Sequence, residues 1–328
     1  MKRYPFYGAI GLLIALLLTG CAEDTREESN NTDVLQVYTT VYPLQFFTEE
    51  IGGEHVEVAS IYPPGADEHT FEPSQKDMMN IADADVFFYV GLGLEGFVEK
   101  VKGTLQNEKV VLHGAGEQID IDHDDAEHEE EHAEEEEHHD EDTHHSEEEE
   151  HEHGGVDPHV WIDPFYAKEL AKSIKDQLTE QLPAHSELFE ENYEKLATNL
   201  DQLDAQFTEL VETAKHKEII VAHSAYGYWE TRYGIKQISI SGVSTTSEPS
   251  QKELQTLIEH GKEAGLNYVL SEQNYQSKLA DIVQKELGAQ SLTLHNLSVL
   301  TNDDIAKDET YFSIMEKNLQ TLEKALNE

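Results

Sequence analysis

The sequence predicts an α/β protein: two (β/α) lobes with mostly parallel sheets, joined by a long rigid linking helix, with a cleft between the lobes. Three observations predict it. The chain has 328 residues, too many for one ordinary single-core domain and comfortable for two at about 100–200 residues each. Two sets of short apolar runs alternate with amphipathic stretches, the pattern of parallel strands with helices on their faces. A helical pattern of unusual length separates the two sets.

The first set of strand-like runs is Val34–Thr40, Val56–Tyr62, Val86–Val90 and Val110–His113, with helices expected near 43–52, 74–83 and 95–102. The second set is Ile219–His223, Gln237–Ser241, Tyr268–Glu272 and Leu292–His295, with helices near 224–233, 249–264, 277–287 and 309–327. Between them a helical pattern runs from Pro164 to Lys215, interrupted at Pro183. Its second part places Phe189, Tyr193, Leu196, Leu200, Leu203, Phe207 and Leu210 at helical spacing, one continuous apolar stripe with Glu, Gln and Asp on the other faces. A helix of that length, about 40 Å at 1.5 Å per residue, joins two lobes as a strut. The expected organisation is therefore a first lobe over 34–163, a helical linker over 164–215 and a second lobe over 216–328.

Hydrophobic residues make up 38% of the chain, enough for two cores. The 68 Asp and Glu against 22 Lys and Arg leave a net charge of −46. Phosphate backbones repel such a surface, which excludes nucleic-acid binding and makes cations the natural partners. The single cysteine, Cys21, excludes a disulfide framework and a Cys-ligated structural zinc site. Lys2 and Arg3 followed by the short apolar run Ile10–Leu18 read as a signal peptide over residues 1–20, the run being well under the ~20 residues that span a bilayer. Leu18-Thr19-Gly20-Cys21 resembles a bacterial lipobox, so Cys21 is the expected lipidation site. A diacyl chain there anchors the protein at the outer face of the cytoplasmic membrane, with polar residues 21–33 as a leash.

Residues 117–155 read as a disordered insert in the first lobe. Within 120–152, 20 of 33 residues are Asp or Glu, interleaved with histidines, and no Lys or Arg occurs between Lys109 and Lys168. A solvated acidic spacer is one reading, and metal gathering by many weak N and O ligands is the favoured one. Two motif matches are resisted. Gly91-Leu-Gly93-Leu-Glu-Gly96 fits GxGxxG but follows the third strand rather than the first, so it reads as a tight strand-to-helix turn. His128-Glu-Glu-Glu-His132 fits HExxH, but its neighbours are acidic and polar, so composition alone generates the match.

Three histidines outside the insert lie where a ligand site is expected. His69 is in a loop after the second strand, His159 lies just before the linker, and His223 ends a strand. Open α/β sheets bind ligands beyond the carboxyl ends of their strands, and His69 and His223 are placed there, one per lobe. Singly, each reads more readily as a hydrogen-bonded structural residue.

The segments EHTFEPS, DPHVWIDP, VAHSAYGYW and ISGVSTTSEPS, in this order, resemble the signature segments of the metal-binding lipoproteins of bacterial zinc/manganese ABC importers, the cluster A-I solute-binding proteins. The resemblance runs from Leu35 to the C-terminus. It implies two lobes on a rigid helix, one metal ion buried between them, and no catalytic activity. Carried over segment by segment, it makes His69, His159 and His223 the metal ligands. A third imidazole in place of the carboxylate of manganese members favours Zn²⁺ as the transported ligand. Several relatives supply a fourth carboxylate near Ser298, a poor zinc ligand. The fourth position is then left to Glu272 or to water first, and to Glu68 beside His69 only after them, and Glu272 equally serves to orient an imidazole. His295 reads as structural. The implied function is an extracytoplasmic zinc receptor that delivers Zn²⁺ to an ABC transporter permease. A zinc hydrolase with a three-His site and a surface adhesin or metal buffer are the alternatives.

Overall fold

The computed structural model describes residues 34–121, 156–275 and 277–328. The expected signal peptide, Cys21, the leash and the HExxH match lie outside the described residues. No described helix is long and apolar enough to cross a membrane.

The first lobe is built from β1 (Leu35–Thr39), α1 (Tyr42–Gly52), β2 (Val56–Ser60), α2 (Gln75–Asp83), β3 (Val86–Tyr89), α3 (Val98–Leu105) and β4 (Val111–Gly114). Its sheet has the order β2-β1-β3-β4, and every pair is parallel. Val86, Phe87, Phe88 and Tyr89 of β3 are all buried, as a central parallel strand covered on both faces requires. The second lobe repeats the plan with β5 (Glu218–His223), α6 (Gly227–Tyr233), β6 (Lys236–Ser241), α7 (Gln251–Ala264), β7 (Tyr268–Ser271), α8 (Lys278–Leu287) and β8 (Gln290–Thr293), in the order β6-β5-β7-β8. The expected two-lobed parallel α/β architecture is the observed one.

The linker resolves into α4 (Pro164–Gln181) and α5 (Ser186–Thr213), which pack on each other and are joined by a 3₁₀ turn at Pro183–His185. Proline cannot supply the helical N–H, so the break falls where Pro183 stands. Helix α5, of 28 residues, is about 42 Å long. Near its start Asn192 donates to the Ile51 carbonyl at 3.0 Å in the first lobe, and near its end Phe207 packs on Trp229 and Tyr233 in the second. Two further helices follow the second sheet, the short α9 (Asn302–Ala306), which periodicity gave no sign of, and α10 (Tyr311–Asn327). Helix α10 starts against the first lobe, with Tyr311 packed on Phe47 at 5.1 Å between ring centres. It ends against the second, where Thr321 donates to the Thr293 carbonyl at 3.0 Å.

The core follows this wiring. One buried cluster runs from Val37 and Phe88 in the first sheet, through Trp161, Leu170 and Phe207, to Val221 and Trp229 in the second. A smaller cluster around Ile220, Ile240, Val269 and Val283 fills the outer side of the second lobe.

Two local outcomes differ in detail from the sequence pattern. Helix α3 begins three residues later than expected because residues 91–97 form a closed turn. The Glu95 carboxylate lies inside it, accepting from Val90 N at 2.8 Å, Gly91 N at 3.0 Å and Thr40 Oγ1 at 2.8 Å. The turn therefore holds its own carboxyl group where a dinucleotide loop would hold phosphate, and Gly91, Leu92 and Gly93 carry positive φ angles of 80°, 58° and 86°. Of the expected insert, residues 117–121 carry on from a turn, with Ile119 and Ile121 packed on the core. Its remainder, 122–155, lies outside the described residues.

Candidate metal centre

The two sheets present their carboxyl ends to each other. His223 is the last residue of β5, beside the point where the strand order reverses, and is fully buried. His69 sits in the loop after β2, where its backbone N–H donates to Asp67 Oδ1 at 2.9 Å and fixes the turn. His159 stands just before the 3₁₀ turn that leads into α4, fully buried. That turn is anchored by its indole, since Trp161 Nε1 donates to the Asn296 carbonyl at 2.7 Å.

The structure brings all three sequence-picked histidines together. His159 Nε2 lies 3.2 Å from His69 Nε2 and 3.4 Å from His223 Nε2. With Glu68 they form a group whose ligand atoms all fall within 4.8 Å of one another. Carboxylates behind two of the rings set the protons. Asp157 Oδ1 is 2.7 Å from His159 Nδ1, and Glu272 Oε1 pairs with His223 Nδ1. With the rings neutral, these carboxylates favour hydrogen on Nδ1 of both, which aims the Nε2 lone pair inward. Two lone pairs facing each other at 3.4 Å repel unless a cation stands between them. Nitrogens bound to one tetrahedral zinc at roughly 2.0–2.1 Å are about 3.3–3.4 Å apart, close to the 3.2 and 3.4 Å that separate His159 Nε2 from the other two.

The electrostatics disfavour the proton at one ring and favour it at another. Burial, with the neighbouring His159 and His223, pushes the His69 imidazolium down to about 3. Burial opposes charge on His223 as well, but the facing Glu272 carboxylate outweighs it and raises the group above the ordinary imidazole range. Burial, and then the Glu272 charge, raise the Glu68 carboxyl.

The two candidate carboxylates separate. Glu68 belongs to the ligand group, and Glu272 lies behind His223. A single side chain touches both: Asn296 Nδ2 donates to Glu68 Oε1 at 3.0 Å and to Glu272 Oε2 at 2.9 Å. His295 is turned away, its Nδ1 accepting from Leu297 N at 2.9 Å and its Nε2 3.4 Å from Asp304. Sequence reasoning missed Asp157 and Asn296. The Asp-x-His spacing was a usable sign for the first, and nothing in the chain pointed to the second.

Across the cleft mouth Thr245 Oγ1 donates to Asp67 Oδ2 at 2.9 Å, and Asn274 Nδ2 to the Ala66 carbonyl at 2.7 Å. The loops of the second lobe thus close over the loop that carries Glu68 and His69.

The family model for the zinc-uptake complex component A, periplasmic (ZnuA), matches residues 37–325. The chain belongs to this ZnuA family. High-affinity zinc uptake system protein ZnuA of Bacillus subtilis (strain 168) is 34% identical over 313 residues, covering 95% of this chain and 94% of that protein. Zinc-binding protein AdcA of Streptococcus pyogenes serotype M3 is 36% identical over 296 residues, 88% of this chain. The chain spans about half the length of that relative, 55%. The Zn(II)-bound ZnuA-like domain of Streptococcus pneumoniae AdcA superposes with a TM-score of 0.71 at 32% identity, over 90% of this chain and all of that domain. Within the ZnuA family the present chain thus shares the two-lobed fold with a structure solved with zinc.

Proposed function

We propose that this ZnuA-family chain captures Zn²⁺ in its cleft, with His69, His159, His223 and Glu68 as ligands, and delivers it to an ABC transporter permease. The observation that carries the reading is the convergence of three Nε2 atoms at 3.2 and 3.4 Å, two of them with their protons held on the far side by carboxylates. An imidazole-rich set with one carboxylate suits zinc, whereas manganese favours carboxylates and more oxygen. A hydrolytic zinc keeps an open coordination position for water, and Glu68 beside the three rings argues for a closed site. Lipidation at Cys21 would hold the receptor at the extracytoplasmic face of the cell membrane, in keeping with a family described as periplasmic.

The test is a competitive titration of the chain with Zn²⁺ and Mn²⁺, beside His223→Ala and a variant lacking residues 122–155. One tight zinc site is expected, retained without the insert, weaker for manganese by orders of magnitude, and lost in His223→Ala. Tight binding that vanishes with the insert and survives His223→Ala would move the function to the insert and sink the cleft reading.

A further inference from the structure

We infer that Asn296 is a positioning residue that aims Glu68 at the metal and reserves Glu272 for His223, and so sets the preference of the site for zinc over manganese; this rests on the zinc-site reading above. Asn296 is fully buried in the loop after β8, where the next residue, Leu297, adopts a φ of 60°. All of its polar atoms are used. Its backbone N–H donates to Gln273 Oε1 at 3.1 Å and its carbonyl accepts from Trp161 Nε1 at 2.7 Å. Its Oδ1 accepts from Ser298 N at 3.0 Å, Ser298 Oγ at 2.9 Å and Gln273 Nε2 at 2.8 Å.

That ring of donors fixes which way the amide faces. A backbone N–H can only donate, so the atom facing Ser298 N is the oxygen, and the NH₂ faces the site. Its two hydrogens go to two carboxylates, one from each lobe, Glu68 and Glu272. An aspartate in this place would add a third negative charge and no donor. A glutamine would not fit between the fixed Ser298 and Gln273 partners. Asparagine is the residue that bridges two like charges while staying neutral itself.

The chemical consequence falls on Glu68. With Oε1 accepting from Asn296, Oε2 is the less encumbered oxygen for the ion, which favours binding through one oxygen. Three imidazoles and one oxygen give four-coordinate zinc. A Glu68 released from Asn296 can turn both oxygens to the ion, which raises the coordination number and suits manganese better. Glu272, held by the other hydrogen, stays on His223 Nδ1 and does not compete for the metal.

The test uses the full chain, with a chelator competing so that only the tight site is read, and compares Asn296→Ala, Glu68→Gln and the double variant. For Asn296→Ala we expect zinc affinity to fall about tenfold, within the range for a residue that orients metal ligands. Manganese affinity changes less, so the zinc-to-manganese ratio drops. The visible absorption of the Co²⁺ form weakens as the site leaves tetrahedral geometry. The double variant loses clearly less than the sum of the two single variants, because Asn296 acts in large part through Glu68, with only its hold on Glu272 left to add. Ser298→Ala, which removes one of the three donors to Oδ1, shows the same changes at smaller size and serves if Asn296→Ala does not fold. A wild-type Co²⁺ spectrum and metal ratio in Asn296→Ala, or losses that simply add in the double variant, overturn the inference while leaving the receptor reading intact. A wild-type chain with no tight zinc site overturns both.

Discussion

Glu272 gives His223 its direction and also makes it easier to protonate. The two effects oppose each other in metal binding, since Nδ1–H held by the carboxylate points Nε2 inward while the same charge stabilises the imidazolium. Because the His223 group is raised, a proton competes with zinc below and somewhat above the ordinary imidazole range. Affinity therefore climbs as pH rises through the raised value and levels off beyond it. Glu272→Gln removes the charge, so the rise moves to lower pH, while affinity at pH 8 falls about 10–100-fold from lost orientation. Zinc titrations from pH 5.5 to 8 check both signs, and a variant with the wild-type pH profile would contradict the assignment. The histidines were legible in the sequence because each sits in a segment with a recognisable pattern. The choice between Glu68 and Glu272 was not, because it depends on which nitrogen of an imidazole each carboxylate meets.

Strands and helices were legible from hydrophobic period, and the helix caps of the structure agree with it. Ser74, Ser250, Thr301 and Thr310 each form a reciprocal capping box at the start of a helix, a local signal that needs no tertiary knowledge. Ser250→Ala is expected to cost about 0.5–2 kcal/mol in denaturant unfolding. The start of α3 was misplaced because the pattern cannot show a glutamate folding back into its own turn. Helix α4 carries a different cap: Asp163 accepts from Phe165 N at 2.9 Å and Tyr166 N at 3.4 Å while fully buried, with Arg232 Nε 3.6 Å from its second oxygen. Burial outweighs Arg232 and raises this carboxyl to about 6 from 3.8. The folded state therefore binds the proton more tightly than the unfolded chain. Its contribution is full below about pH 4 and is lost as pH rises through 6, by up to about 3 kcal/mol. Asp163→Asn keeps a capping oxygen and should lack this component when metal-free stability is followed from pH 4 to 7.5.

At the scale of the whole molecule, the two lobes were legible as repeated strand–helix sets, but their coupling was not. Nothing in the periodicity of α10 tells that its first turn packs on Phe47 and its middle on the second sheet. With α5 and α10 both touching both lobes, and one buried cluster running through all of them, the lobes are braced rather than hinged. We expect the radius of gyration in solution scattering to change by less than about 1 Å on adding zinc, with any motion confined to the loops around Thr245 and Asn274. A larger compaction would show that the helical brace yields. The brace also bears on when the protein acquires its chemistry. Every proposed ligand lies upstream of residue 311, yet α10, which follows them all in the chain, packs on both of the lobes that carry the two half-sites. The contacts that α10 makes with α1 join opposite ends of the described chain, the kind of long-range closure that slows folding. A folding chain thus holds all its proposed metal-binding groups before the helix that braces the two lobes has docked. On the proposed reading, the two halves of the zinc site would be held at their final spacing only once that helix has closed on the first lobe.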